Sequence, residues 1–144
     1  MKKLNIGCGK KLLDGFINID INDFGQEIKS DVFIYLKDLI DKKESVDHIR
    51  AEHFLEHFNQ DEARELLNLM WQVVKSSGDI LIVVPHKKDD YAWILAHKTF
   101  YCENTFKILE KSEWREVYGF RPWKIKELVV NDRPDIHCVM SPIK

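Results

Sequence analysis

The sequence predicts an α/β fold: a mostly parallel sheet closed by a C-terminal antiparallel hairpin. Three observations carry that prediction. Strand-like runs alternate with polar or helical stretches up to residue 85, the ordering that builds parallel sheets. Asp79 to Pro85 (Asp-Ile-Leu-Ile-Val-Val-Pro) is apolar almost throughout, as a central strand covered on both faces is expected to be. Further on, Lys124–Val130 and Ile136–Ser141 flank Asn131-Asp132-Arg133-Pro134, a turn-rich tetrapeptide that reads as the bend of a hairpin.

The elements follow in order. Lys3–Ile6 enters as strand 1. Gly7 to Gly15 is a link of only nine residues, too tight for a full crossover helix, with room for one turn around Lys10–Leu13. Phe16–Asp20 alternates apolar and polar residues as a half-buried strand does. Asp31–Leu36 (Asp-Val-Phe-Ile-Tyr-Leu) is rich in β-formers and reads as a third strand. Val46–Ala51 is a fourth.

The clearest helix comes next: Ala63, Leu66, Leu67, Met70, Val73 and Val74 keep one apolar stripe. Asn59 with Glu62 supplies a capping box at its start, and Ser76-Ser77-Gly78 is expected to stop it. Asp89–Ala96 is read as a short helix, Glu103–Lys111 as a longer one, and Gly119–Pro122 as a break. The aromatic side chains between Tyr91 and Trp123 are expected to be mostly core or sheet cover.

Totals narrow the function. The 144 residues suit a single domain over 1–144, with 44% apolar and 32% charged residues marking a soluble globular chain. A formal charge of −2 offers no long-range attraction to nucleic acid or an anionic membrane. The longest apolar run, Ile80–Pro85, is far short of the roughly 20 residues that span a bilayer. No signal peptide is visible, and Cys8, Cys102 and Cys138 have no paired spacing. A reducing, cytoplasmic setting is expected.

The ends of the expected strands gather chemistry at one rim, where open α/β sheets bind ligands. Gly7-Cys8-Gly9 follows strand 1, where missing Cβ atoms let a ligand approach the backbone. Asp20 ends strand 2, placed to accept both hydroxyl protons of a ribose. Ala51-Glu52-His53 and Pro85-His86 complete the rim. Leu12 stands where a dinucleotide fingerprint has its third glycine, and the short link leaves little room for the helix that a pyrophosphate needs.

Taken in order, Leu4-Asn5-Ile6-Gly7-Cys8-Gly9, Gly15-Phe16-Ile17-Asn18-Ile19-Asp20, Ser45-Val46-Asp47, Ala51-Glu52-His53-Phe54-Leu55-Glu56-His57 and Gly78 to Pro85 resemble a class I S-adenosylmethionine-dependent methyltransferase. The resemblance covers residues 3–110 and is closest to the small members in which the first crossover helix is reduced. It implies a Rossmann-like three-layer sandwich with S-adenosylmethionine as cofactor. Gly7 and Gly9, with Asn5 and Cys8 beside them, would face its methionine moiety. Asp20 would hold the ribose, Ile21 would pack on the adenine, and Glu52 and His53 would lie near the sulfonium. The acid that reads the adenine amino group in the family is matched by Tyr35 here, so backbone groups at Leu36 are expected to serve instead. The resemblance also implies a small-molecule or saccharide-like acceptor with an oxygen or nitrogen nucleophile. Because no cap helices precede strand 1, a homodimer or partner chain is expected to cover the cleft.

An acceptor of that kind needs its proton removed, and His53, His57 and His86 are the candidate bases. Two other functions compete. One is a binding or partner subunit that keeps the scaffold without turnover. The other is a zinc hydrolase, because His53-Phe54-Leu55-Glu56-His57 matches H-x-x-E-H, whose histidines share a face when helical. No evident downstream acidic helix offers a third ligand, and the expected site holds no metal.

Overall fold

The sheet has seven strands: β1 (Lys3–Ile6), β2 (Ile17–Asp20), β3 (Ile28–Lys29), β4 (Val46–Glu52), β5 (Val74–Pro85), β6 (Trp123–Val130) and β7 (Asp135–Pro142). Their order across the sheet is β3-β2-β1-β4-β5-β7-β6. The first five are parallel, and β7 runs antiparallel between β5 and β6. This computed structural model describes residues 1–144, the Ser112 side chain excepted. Four α-helices accompany the sheet: α1 (Val32–Asp41), α2 (Gln60–Val73), α3 (Glu103–Lys107) and α4 (Ser112–Val117). Among the described residues, no helix is long and apolar enough to cross a membrane.

The core forms where β1, β4 and β5 meet α1 and α2. Leu4, Ile6, Ile49, Ala51, Ile80 and Ile82 are fully buried, as are Leu36, Leu66 and Met70 from the helices. Each such aliphatic side chain contributes roughly 1.5–3 kcal/mol over leaving it exposed. Asn59 caps α2 as its sequence implies, with the capping box to Glu62 formed. The opposite sheet face is more polar, with His48, Arg50 and Glu52 half-exposed on β4. Its thin cover is the helix-free link after β1, which Asn5 holds down: Asn5 Nδ2 donates to Lys11 O at 2.9 Å and to Asn18 Oδ1 at 2.8 Å.

Four segments differ from the sequence reading. Asp31–Leu36 is not a strand: Asp31 caps α1, accepting from Phe33 N at 2.7 Å, and Val32, Leu36 and Leu39 form its buried stripe. The cap and the stripe outweigh β-propensity here. The strand at that place is the two-residue β3. Ser76-Ser77-Gly78 does not end α2, which stops at Val73. Pairing jumps from Val46↔Val74 to His48↔Asp79, so those residues bulge within β5. Glu103–Lys111 divides, its helix ending at Lys107 before α4 begins. Of the aromatic group, Tyr101, Phe106 and Trp123 are buried, whereas Tyr91, Trp93, Phe100, Trp114 and Tyr118 are exposed.

Candidate active site

The direction of strand succession reverses at β1: β2 lies on one side of it and β4 on the other. Ligands of open α/β sheets lie in the crevice at such a switch point. Gly7 and Gly9 sit there with φ of +61° and +51°, conformations in which a Cβ is strained. Their surroundings differ. A Cβ on Gly7 would fall 2.0 Å from the Phe54 ring, whereas nothing lies within 4 Å of one on Gly9. Gly7 is therefore required by the protein's own packing, and Gly9 faces open space.

Asp20 closes the same corner. Its Oδ2 accepts from Gly9 N at 2.9 Å and its Oδ1 from Asn22 N at 2.9 Å. Each oxygen keeps a second acceptor site. A cavity of about 100 Å³ adjoins it, lined by Gly7, Asp20, exposed Ile21, Asp31 and Phe54 among others. Asp31, two residues beyond β3, is thus a second acid at this rim. Tyr35 is on α1, away from the strand end, and Leu36 is buried in the core with no access to the rim. Cys8 is buried, and burial first, with Asp20 nearby, pushes its thiol above the usual range. Asn5 is buried beneath the link, where its side chain fixes the loop.

Glu52 ends β4, where Lys11 from the link donates to it at 2.9 Å and Arg50 binds the same carboxylate. Burial works to raise its pKa, but the hydrogen bonds from Lys11 and Arg50 outweigh it, and the carboxyl is held below its usual range. His53 follows with φ +50°, which turns the chain off the strand. It consequently shares no helical face with His57; only Leu55–His57 makes a 3-10 turn. The helical H-x-x-E-H zinc geometry is absent.

His53 lies between two carboxylates, its Nδ1 3.6 Å from Glu56 Oε1 and its Nε2 3.5 Å from Asp135 Oδ2. Glu56 is the leading cause of a raised His53 pKa, working against burial, and Asp135 adds to it. These groups line a second cavity of about 600 Å³, with His57, His97, Arg133 and Tyr91 around it. His86 does not line this cavity. Its Nδ1 accepts from Lys88 N at 3.1 Å, so Nε2 carries the proton toward Glu103, 3.2 Å away. Both of its ring nitrogens thus have partners within the protein. Tyr101 is likewise turned inward, with its hydroxyl 2.9 Å from Thr99 Oγ1.

Sequence reasoning missed Asp135. The antiparallel pair Pro85↔Asp135 brings the first residue of β7 to the carboxyl end of β5. The turn residues before Ile136 carried the only signal for it.

No family model matches this chain, and no curated protein matches it. Solved structures do. A SAM dependent methyltransferase from Archaeoglobus fulgidus superposes with a TM-score of 0.69 at 24% identity, over 97% of this chain and 85% of that one. The fold is that of the SAM-dependent methyltransferases. The N-methyltransferase NodS from Bradyrhizobium japonicum, in complex with S-adenosyl-L-homocysteine, gives 0.68 at 15% identity, over 99% of this chain and 78% of NodS. TehB from Haemophilus influenzae gives 0.63 at 18% identity, over 99% of this chain. The chain spans 57% of TehB, less than two thirds of its length.

Proposed function

We propose that this protein binds S-adenosylmethionine across the ends of β1 and β2 and transfers its methyl group to a small-molecule oxygen or nitrogen nucleophile. One observation carries the reading. Gly9 and Asp20 make an open, acid-bearing corner at the switch point, and a separate cavity with ionisable walls begins at the end of β4. Asp20 would hold the ribose, Ile21 would cover one face of the adenine, and Asp31, rather than the buried Leu36, would meet the adenine amino group. This chain's residues fit the nucleoside part of the cofactor. The Phe54 ring stands over Gly7 and has to shift for the methionine part to lie flat.

When bound, the cofactor supplies an already activated methyl group, so the protein's task is alignment and exclusion of water. The walls of the His53 cavity would hold the nucleophile in line with that methyl group, and a base on them would take up the nucleophile's proton. His53 at the cavity wall serves best, with Glu56 and Asp135 stabilising the imidazolium. Carboxylates, imidazoles and Arg133 around the cavity suit an acceptor rich in hydroxyls, such as a saccharide.

Calorimetric titration of S-adenosylmethionine and S-adenosylhomocysteine tests the reading. Micromolar binding is expected, weakened by about 1.5–3 kcal/mol in Asp20→Ala, the worth of hydrogen bonds to a charged group. A second reading, a scaffold without turnover, is favoured by the Phe54 ring over Gly7 and by Glu52 already being tied to Lys11 and Arg50. Absence of binding at millimolar ligand would support it over methyl transfer.

A further inference from the structure

Glu56 is buried to within 1% of its surface, yet neither of its carboxylate oxygens has a hydrogen-bond partner. A buried carboxylate left that way is costly, and native structures resolve it with a counter-charge or a coordinated metal. Its neighbours are imidazoles. His97 Nε2 is 4.0 Å from Glu56 Oε1, and the His57 and His97 rings meet edge-to-face with centroids 4.9 Å apart. One ligand atom from each of Glu56, His57 and His97 lies within 4.8 Å of the other two.

We propose that Glu56, His57 and His97 hold a divalent cation of the Zn²⁺ class on the wall of the His53 cavity. Four further features agree. First, His57 Nδ1 is 3.2 Å from Phe54 O; a carbonyl only accepts, so Nδ1 carries the proton and Nε2 keeps its lone pair for a metal. Such an outer hydrogen bond is how ligating imidazoles are oriented. Second, Lys98 N and Thr99 N both donate to Glu56 O, at 2.8 and 3.3 Å. The peptide that follows His97 is thereby tethered to the residue carrying the carboxylate, although Lys98 lies 42 positions after Glu56 in sequence.

Third, two imidazoles and one carboxylate are a donor set of catalytic zinc sites, which leave one position open. Tetrahedral ligation at about 2.0–2.1 Å needs donor atoms roughly 3.4 Å apart, so the cluster has to contract only modestly. Fourth, the cavity beside it, about 600 Å³, leaves room for that open position. The ligands are not the pair expected from the H-x-x-E-H spacing: His97 enters from a distant loop, and His53 stands behind Glu56 as its ion-pair neighbour.

The cation site stands apart from the cofactor reading. Only its role rests on the proposed methyl transfer: an acceptor oxygen on the open position would be favoured as its alkoxide.

The test begins with protein stripped by chelator and dialysed. Zn²⁺ alone is titrated by calorimetry, and Co²⁺ alone is followed by visible absorption. One cation per chain is expected, with cobalt bands of low-coordinate character. His57→Ala and His97→Ala should each weaken binding about 10-fold or more. His57 is exposed, so its variant is expected to fold, and circular dichroism checks this. The proposal is overturned if one equivalent does not bind, or if binding is unchanged in both variants; Glu56 is then held by histidinium ion pairs alone. Asp20→Ala protein should bind Zn²⁺ as the parent does. Cation binding without S-adenosylmethionine binding would sink the methyl-transfer reading and leave the site standing, and the converse would do the reverse.

Discussion

Gly7 and Gly9 share a backbone conformation but are constrained by different things. At Gly9 an added methyl meets open space, so Gly9→Ala should cost only the left-handed strain of about 1–2 kcal/mol. At Gly7 the methyl also collides with the Phe54 ring, and overpacking adds about 1–3 kcal/mol. Urea unfolding of the two variants should rank Gly7→Ala well below Gly9→Ala; equal losses would show that Phe54 yields freely. Glu52 gives a pH signature. Its folded pKa is depressed, so the stabilisation it provides is fully present above the unfolded value of about 4.3 and is lost as pH falls through the folded value. Glu52→Gln should lower stability at pH 7 and flatten its decline below pH 4, measured by denaturant unfolding at both pH values. Gly9, Asp20 and His53 could be found in the sequence because each sits at or just beyond a strand end. Asp135 could not, since an antiparallel register brings it to the site.

At the scale of elements, α1 shows what a local reading catches and misses. Asp-Val-Phe-Ile-Tyr-Leu carries a strand's composition, but Val32, Leu36 and Leu39 fall at helical spacing once the window extends past Leu36. The helix then ends in a Schellman motif: Glu44 N donates to Leu39 O at 2.9 Å and Lys43 N to Ile40 O at 3.0 Å, with Lys43 at φ +54°. Glycine is the usual residue at that position. Lys43→Gly should therefore stabilise the protein by about 1 kcal/mol, read as a rise in melting temperature; a fall would mean the lysine side chain makes a contact worth more than the strain. By contrast the start and the buried face of α2 were legible, since its capping box and stripe are local, whereas its end at Val73 was not. The bulge at Ser76–Gly78 was not, because a Cβ on Gly78 would strike Asp47 O, 2.6 Å away on the neighbouring strand. That is a demand set by pairing.

For the molecule as a whole, the parallel half and the closing hairpin could both be read from the sequence, but the place of β7 inside the sheet could not. Turn chemistry specifies a hairpin and leaves open which of its strands docks on β5. The answer is β7, which pairs with β5 from Ile80↔Met140 to Pro85↔Asp135. During synthesis this arrangement leaves the most apolar strand with one bare edge until residue 142 has emerged, since β6 comes first and cannot cover it. Bare apolar edges recruit other chains. A chain truncated after Val130 should therefore self-associate through Ile80–Val84, seen as light scattering at concentrations where the full chain is clear. A monodisperse truncated product would mean that β6 can take the place of β7. In the cell the nascent chain is expected to depend on a holding chaperone until those eight residues arrive.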